Sequence, residues 1–535
     1  MLEALDAYGQ LNMSHILEQA ADQFGYKTAI KENEVQLSFA ELEHMSWHAA
    51  SAFAAKGVVK GDRVAIWAPN VYEWIVAAIG LELIGGVLVP LNTRWKGSEV
   101  ADVLNRGEVK LLFTVESFQA SPSTEIRYLD LLQGETLETV SEIVLLRGDS
   151  ESAAQENVIG FGEFLLAGEE ADMALVKEAA AGVQADDVMD MLPTSGTTGK
   201  PKLVMCAHGQ NMRTVATWAS TNGLNENDNY LIINPFFHSF GYKAGWLACL
   251  ITGATIFPVL SFDLDAVLQQ IEQDKISMLP GPPTIYQSIL AHPDRDKFDL
   301  SSLRLAVTGA APVPVELVNR MRNEMDFEVV VTAYGMTETS GFVSICRPDD
   351  PAEIISASSG RAMDGIEVKI VDGEGKELPR GETGEIWVRG YNVMQGYFGN
   401  EQATQETITD DGWLKTGDVG EMDEGGYIDI TDRIKDMIIS GGFNVYPAEL
   451  ENSISSIKGV VQVAIIGVAD ERMGEVGKAF IVKEQGSELT VEDVAAFCKA
   501  NMANYKVPRS IEFIDIMPMN ASGKILKTEL RKLVA

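Results

Sequence analysis

The densest chemistry in the chain lies in Met191-Leu-Pro-Thr-Ser-Gly-Thr-Thr-Gly-Lys-Pro-Lys202. Residues 194–202 pack four hydroxyls, two glycines and two lysines into nine positions. Glycines let a backbone curl until its N–H groups converge on an anion, and hydroxyl and ammonium donors complete such a cradle. The expected ligand is therefore a phosphate. The loop is not of the GxxxxGK[ST] type, because Gly196-x-x-Gly199-Lys200 is too short and Pro201 follows the lysine.

Other segments add acidic and basic groups in a fixed order. Tyr334-Gly-Met-Thr-Glu338 closes a strand-like run, where backbone turns meet ligands in α/β sheets. A carboxylate beside phosphates is costly unless a cation joins it, so Mg²⁺ is expected at Glu338. Lys415-Thr-Gly-Asp418, Asp432-Arg-Ile-Lys-Asp436, Ser440-Gly-Gly-Phe-Asn-Val-Tyr-Pro-Ala-Glu449 and Asn520-Ala-Ser-Gly-Lys524 follow. Each alone reads as an ordinary surface turn. Together, in this order, they resemble the signatures of the adenylate-forming superfamily, which includes acyl-CoA synthetases, aryl-CoA ligases, firefly luciferase and the adenylation domains of peptide synthetases. The resemblance runs over about residues 191–530, and the N-terminal third is compatible with it without a sharp motif.

The resemblance implies a set of roles. Thr194, Ser195, Gly196, Thr197, Thr198, Gly199 and Lys200 would hold the phosphates of ATP. Gly309, Ala310 and Ala311 would lie along the adenine edge, and Ala333, Tyr334, Gly335 and Met336 would form the adenine and α-phosphate side, with Tyr334 stacking on the base. Thr337 would contact the α-phosphate, and Glu338 would help hold Mg²⁺. Asp418 would accept the ribose hydroxyls, a natural task for an ionised, acceptor-only group, with Arg433 as a second contact. Lys435 sits at the hinge position, and Gly441, Gly442 and Phe443 belong to the hairpin that would flank the coenzyme A thiol. Lys524 matches the mobile lysine that bridges substrate carboxylate and α-phosphate. Phe237, Gly241, Tyr242, Ser340, Gly341 and Phe342 would line the acyl pocket, with Gly309 beside them, and glycines on that wall suggest a roomy apolar site. His238, in Pro235-Phe-Phe-His-Ser-Phe-Gly241, would gate it. That segment lacks the Asp with which amino-acid-activating relatives hold an ammonium group, so a plain carboxylic acid is expected.

The implied reaction is a two-step ligation: carboxylate and MgATP give acyl-AMP and pyrophosphate, and coenzyme A then takes the acyl group. The texture of Pro280–Leu290 and Ser440–Glu451 is nearest to bacterial synthetases of medium-chain, aromatic or alicyclic acids, including ligases for the ring-fragment propanoates of steroid catabolism. Three rivals keep some or all of the same motifs. They are a stand-alone adenylation enzyme loading a carrier protein, a luciferase-type oxygenase and a non-catalytic nucleotide- or acyl-binding protein.

These residues need a scaffold. Apolar strand-like runs at 63–68, 109–115, 229–235, 254–260, 276–283, 303–309 and 328–335 alternate with helical stretches at Val71–Ile84, Asp263–Asp274 and Pro314–Met325. Such alternation predicts doubly wound α/β layers. From about 355 to 430 short strands and glycine turns suggest a β-rich unit. After it, strands at 461–468, 478–484 and 511–516 and a helix over Val491–Met502 predict a small α+β domain. The expected division is 1–434 and 435–535.

Composition narrows the partners. Of 535 residues, 46% are hydrophobic and 22% charged, which fits a folded globular chain. A net charge of −36, from 78 acidic and 42 basic residues, disfavours nucleic acid and anionic membranes. The N-terminus has no secretory signature, and the apolar run from Trp74 to Leu91 is broken by Glu82 and Gly85-Gly86, so it reads as a buried helix and a core strand. Four scattered cysteines predict neither disulfides nor a zinc site. His44 and His48 lie one helical turn apart without a third ligand. There is no GxSxG, and no convincing GxGxxG. A cytoplasmic homodimer is the expectation.

Overall fold

The structure is a computed structural model describing residues 11–121, 124–148, 157–194, 201–309, 313–433, 436–440, 443–470, 473–502, 504–519 and 525–534. It is a mixed α/β protein with a large N-terminal domain and a small C-terminal one.

Two long sheets organise the large domain. The first has eight strands in the order 396–397, 202–207, 188–194, 87–90, 63–67, 109–115, 142–147 and 158–160. Its strands run parallel from 188–194 through 158–160, and 202–207 turns back antiparallel to 188–194. The second layer joins 35–38, 28–32, 255–258 and 229–232 to 305–308, 329–334, 344–345 and 361–362, with Met278 bridging Tyr230 and Leu305. The stretch 276–283, expected as a strand, supplies only isolated bridges there. Pro280, Pro282 and Pro283 have no N–H to give, so a regular ladder cannot form.

The helix Tyr72–Leu83 lies in the core of this domain. Every residue from Glu73 to Leu83 is buried, the signature of a helix covered on all sides. The helix Phe39–Ala55 crosses it so closely that a Cβ on Gly80 would stand 2.5 Å from the Ala49 Cβ and 2.9 Å from the Ser46 carbonyl oxygen. Ser38 and Glu41 start that second helix with a reciprocal capping box. The run 74–91 thus resolves as anticipated, a buried helix followed by the core strand Val87–Pro90. Among the described residues no helix is long and apolar enough to cross a membrane.

Residues 366–371, 384–390, 414–422 and 428–433 form a four-stranded antiparallel sheet. The C-terminal sheet follows the order 443–445, 438–440, 474–483 and 460–470, and 510–513 adds parallel to 474–483. Its two faces bury separate cores. Ile438, Leu450, Ile465 and Val494 lie in one, and Ile466, Phe480, Met517 and Leu530 in the other. All four cysteines are buried free thiols. His44 and His48 face each other at 4.8 Å between rings on an exposed helical surface, and no group of three metal-ligating side chains occurs among the described residues.

Candidate active site

Among the described residues, Gly309, Ala333 and Tyr334 of the expected set lie at the carboxyl ends of two parallel strands. Leu305–Thr308 and Val329–Tyr334 run in register, Thr308 against Thr332, so Gly309 and Ala333 emerge side by side. A Cβ placed on Gly309 would find nothing nearer than the Ala333 carbonyl oxygen at 3.9 Å, which leaves a shallow open edge. After Tyr334 the chain turns sharply. A Cβ on Gly335 would stand 2.1 Å from the Gly341 carbonyl oxygen, and Gly341 itself has φ +98, so both positions require glycine. Ser340 also takes a left-handed conformation, at φ 54.

This turn faces the antiparallel β-rich unit. The Tyr334 hydroxyl donates to Asp418 Oδ2 at 2.6 Å, and Asp418 is nearly fully buried in the strand Leu414–Met422. Thr416 fixes the approach: its hydroxyl donates to the Ile386 carbonyl at 2.6 Å and accepts from the Asp418 N–H at 3.1 Å. Asp418 lies opposite Arg433 in the register of the neighbouring strand.

Glu338 is buried, and the Tyr397 hydroxyl donates to its Oε1 at 2.9 Å. Burial, and then the Glu338 carboxylate, push the Tyr397 phenol above its ordinary range. Tyr397 pairs with Val204 at the sheet edge, and Lys202 Nζ stands 4.4 Å from its ring centroid. Lys202 is the register partner of Thr194. The paired ends of the strands 188–194 and 202–207 and the carboxylate of Glu338 are therefore tied through one tyrosine. Neither Tyr397 nor the placement of Lys202 was anticipated, because the Gly396-Tyr397 strand has no motif of its own. Ser195, Gly196, Thr197, Thr198, Gly199, Lys200, Ala310, Ala311, Lys435, Gly441, Gly442 and Lys524 lie outside the described residues, as do the side chains of Arg433 and Phe443.

In the segment expected to line the acyl pocket, His238 is exposed and its Nδ1 accepts from the Phe240 N–H at 3.2 Å, which places the proton of the neutral ring on Nε2. The expectation that glycines widen this wall needs correction at Gly241. Its missing Cβ is demanded by the backbone, since one would stand 2.2 Å from the Pro235 carbonyl oxygen. Phe237 and Gly341 are partly accessible, whereas Gly241, Tyr242, Ser340 and Phe342 are buried. Ser340 donates to the Asn392 carbonyl at 3.0 Å. Phe342 stacks on Trp218 with centroids 5.3 Å apart.

Tyr242 belongs to a buried polar cluster that the sequence did not reveal. Its hydroxyl donates to Glu82 Oε1 at 2.8 Å. The next residue, Lys243, is wholly buried and stands 3.2 Å from the equally buried Asp190. Asn211 Nδ2 also donates to Asp190, at 2.6 Å. Burial pulls the Lys243 ammonium down, but the adjoining Asp190 carboxylate outweighs it, and the net direction is upward. Burial also pushes the Glu82 carboxyl well above the ordinary range. Asp190 lies on the strand that leads to Thr194, so this ion pair ties the segment carrying Tyr242 and Lys243 to the strand Val188–Thr194. Only the fold brings residues 82, 190, 211 and 243 together, and the lone Lys243 gives no sequence signal.

Comparison with known proteins places this geometry. Residues 17–398 match the AMP-binding enzyme family, and residues 449–524 match the AMP-binding enzyme C-terminal domain. The chain is 48% identical to a 3-[(3aS,4S,7aS)-7a-methyl-1,5-dioxo-octahydro-1H-inden-4-yl]propanoyl:CoA ligase of Rhodococcus jostii (strain RHA1), over 96% of this chain and 97% of that one. It is 44% identical to the ligase of the same name from Mycobacterium tuberculosis, over 97% and 98%. The crystal structure of ATP-bound MatB from Rhodopseudomonas palustris superposes with a TM-score of 0.81 at 28% identity, covering 98% of this chain and 99% of that one.

Proposed function

This chain belongs to the AMP-binding enzyme family, and from that premise we propose how it works as an acyl-CoA ligase and on what. The substrate is a bicyclic propanoic acid bearing ring oxo groups, of the kind named for the two ligases to which the chain is 48% and 44% identical. The observation that carries the site assignment is the 2.6 Å bond between Tyr334 and Asp418, which joins two signature segments far apart in the chain.

In the first step a carboxylate oxygen attacks the α-phosphorus of ATP and pyrophosphate leaves, giving acyl-AMP. Residues 194–200 and Lys524 hold the negative charge that gathers there, and Lys524 offsets repulsion between two anions that must meet. Tyr334, Ala333 and Gly309 flank the base, and Asp418 and Arg433 take the ribose. Glu338 fits a magnesium ion carried by the nucleotide phosphates: Mg²⁺ typically uses one or two carboxylates beside phosphate oxygens, and a buried carboxylate held by Tyr397 is such a ligand. When bound, the ion would neutralise phosphate charge.

In the second step the coenzyme A thiol attacks the acyl carbon, loses its proton, and AMP departs. The small domain turns about Lys435, at a boundary between 434 and 435, withdrawing Lys524 and presenting Gly441, Gly442 and Phe443 to the thiol.

The test is acid-dependent turnover with ATP, Mg²⁺ and coenzyme A across straight-chain, aromatic and alicyclic oxo acids, assaying pyrophosphate and AMP and weighing the thioester. The expected result is pyrophosphate release and a thioester mass with the oxo-bicyclic propanoate. Pyrophosphate without thioester would replace coenzyme A by a carrier protein or another acceptor. Orthophosphate release, or no acid dependence across the panel, would overturn the reading.

A further inference from the structure

The helix His208–Asn222 carries Asn211, Thr214 and Trp218 on one face, since steps of three and four residues return to the same side. All three are fully buried. The Trp218 ring packs against both acyl-side segments: it stacks on Phe342 at 5.3 Å and meets Phe240 edge-on at 6.3 Å. Toward the start of the helix, Asn211 reaches the Asp190–Lys243 pair. This face thus runs from the buried ion pair to the aromatic wall.

Hydrogen-bonding capacity along it is unused. Thr214 Oγ1 and Trp218 Nε1 are buried without a partner, as is Asn211 Oδ1. Buried polar groups are paired in the great majority of cases, and each exception calls for an explanation. Of these three atoms on the helix face, Thr214 Oγ1 and Trp218 Nε1 are able to donate.

We propose that Thr214 and Trp218 are specificity-determining donors for a ring carbonyl oxygen of the acyl group. The inference rests on the ligase reading above and names the side chains that select its substrate class. A ketone is the complementary group because it only accepts, and its two lone pairs match two donors. A second carboxylate would need a counter-charge, and that of Lys243 is already matched by Asp190. A hydrocarbon ring would leave both donors unpaired, so the site disfavours it on binding.

The experiment compares an oxo-bicyclic propanoic acid with its deoxo counterpart in wild type, Thr214→Val, Thr214→Ser and Trp218→Phe, reading kcat/KM for thioester formation and KM for ATP. Wild type should prefer the oxo acid by about 10- to 100-fold, the worth of well-placed hydrogen bonds to a substrate. Thr214→Val and Trp218→Phe should each cut that preference severalfold with KM for ATP as before, and Thr214→Ser should retain it. Thr214→Val is nearly isosteric, so it reports even if the larger replacement disturbs folding. Equal losses with both acids, or an unchanged preference, would overturn the inference. A wild-type enzyme that makes thioester from straight-chain or aromatic acids and from neither bicyclic acid would overturn the substrate reading, and this inference with it.

Discussion

The Tyr334 hydroxyl stands 2.6 Å from Asp418 Oδ2, linking the end of a central parallel strand to an antiparallel sheet 84 residues further along the chain. Because Asp418 is buried, this bond orients a carboxylate that water reaches poorly. Tyr334→Phe should leave the fold intact and raise KM for ATP by roughly tenfold, the effect of about 1.4 kcal/mol from one charge-assisted hydrogen bond. Acid-dependent pyrophosphate exchange at varied ATP measures this directly, and an unchanged KM would remove the pair from the nucleotide site.

Glu338 depends on Tyr397 in the same way. Tyr397→Phe leaves the buried carboxylate without its hydroxyl partner and so makes its charged form harder to keep. The Mg²⁺ concentration for half-maximal pyrophosphate release should rise severalfold, with KM for the acid little changed. A metal titration that overlays wild type would dissociate Glu338 from the cation.

Lys524 serves one half-reaction in this scheme. Lys524→Ala should reduce adenylate formation by at least about 100-fold, as loss of a charge donor at the reacting phosphorus typically does. The same variant should convert supplied acyl-AMP and coenzyme A to thioester at close to the wild-type rate. Equal loss in both steps would show that Lys524 is not the mobile lysine.

The Asp190–Lys243 pair is wholly buried, so removing one member strands a charge. Lys243→Met should destabilise the protein by about 3–5 kcal/mol in urea unfolding, and Asp190→Asn combined with Lys243→Met should recover part of the loss. Additive losses would mean that the two side chains do not act as a pair.

His208 gives stability a pH dependence. Burial lowers its pKa to about 4, with Asp187 acting in the opposite direction. The folded protein therefore keeps the ring neutral, while the unfolded chain takes up a proton below about 6.5. The stability tied to this ring is fully present above that value and is lost as the pH falls toward 4, about 2 kcal/mol of it by pH 5. Comparing wild type with His208→Gln in urea at pH 7.5 and pH 5 isolates the effect: wild type should lose more than the variant. Parallel losses would refute the assignment.

Much of the fold was legible in the sequence because its helices and strands advertise themselves by period. The segments 63–68, 109–115 and 328–335 became the strands 63–67, 109–115 and 329–334, and the expected helices matched their observed ends to within a residue. The stretch 276–283 failed because its apolar pattern suggested a strand while its prolines removed the donors a strand needs. At the site, the turn carrying Tyr334 to Glu338 was legible for a local reason, since its glycines and hydroxyls serve the backbone geometry of the turn that they occupy.

The sequence by itself determined the signature segments, their order, the alternation of strands and helices, and hence the class of phosphate chemistry. Those features depend on near neighbours in the chain. The tertiary structure alone decided that Tyr397 holds Glu338, that Asp190 neutralises Lys243, that the Pro235 carbonyl leaves no space for a Cβ at Gly241, and that Thr214 and Trp218 keep unspent donors on one buried helix face. Each depends on groups far apart in sequence meeting where water is excluded, and there the cost of an unmatched charge or donor sets which contacts must form.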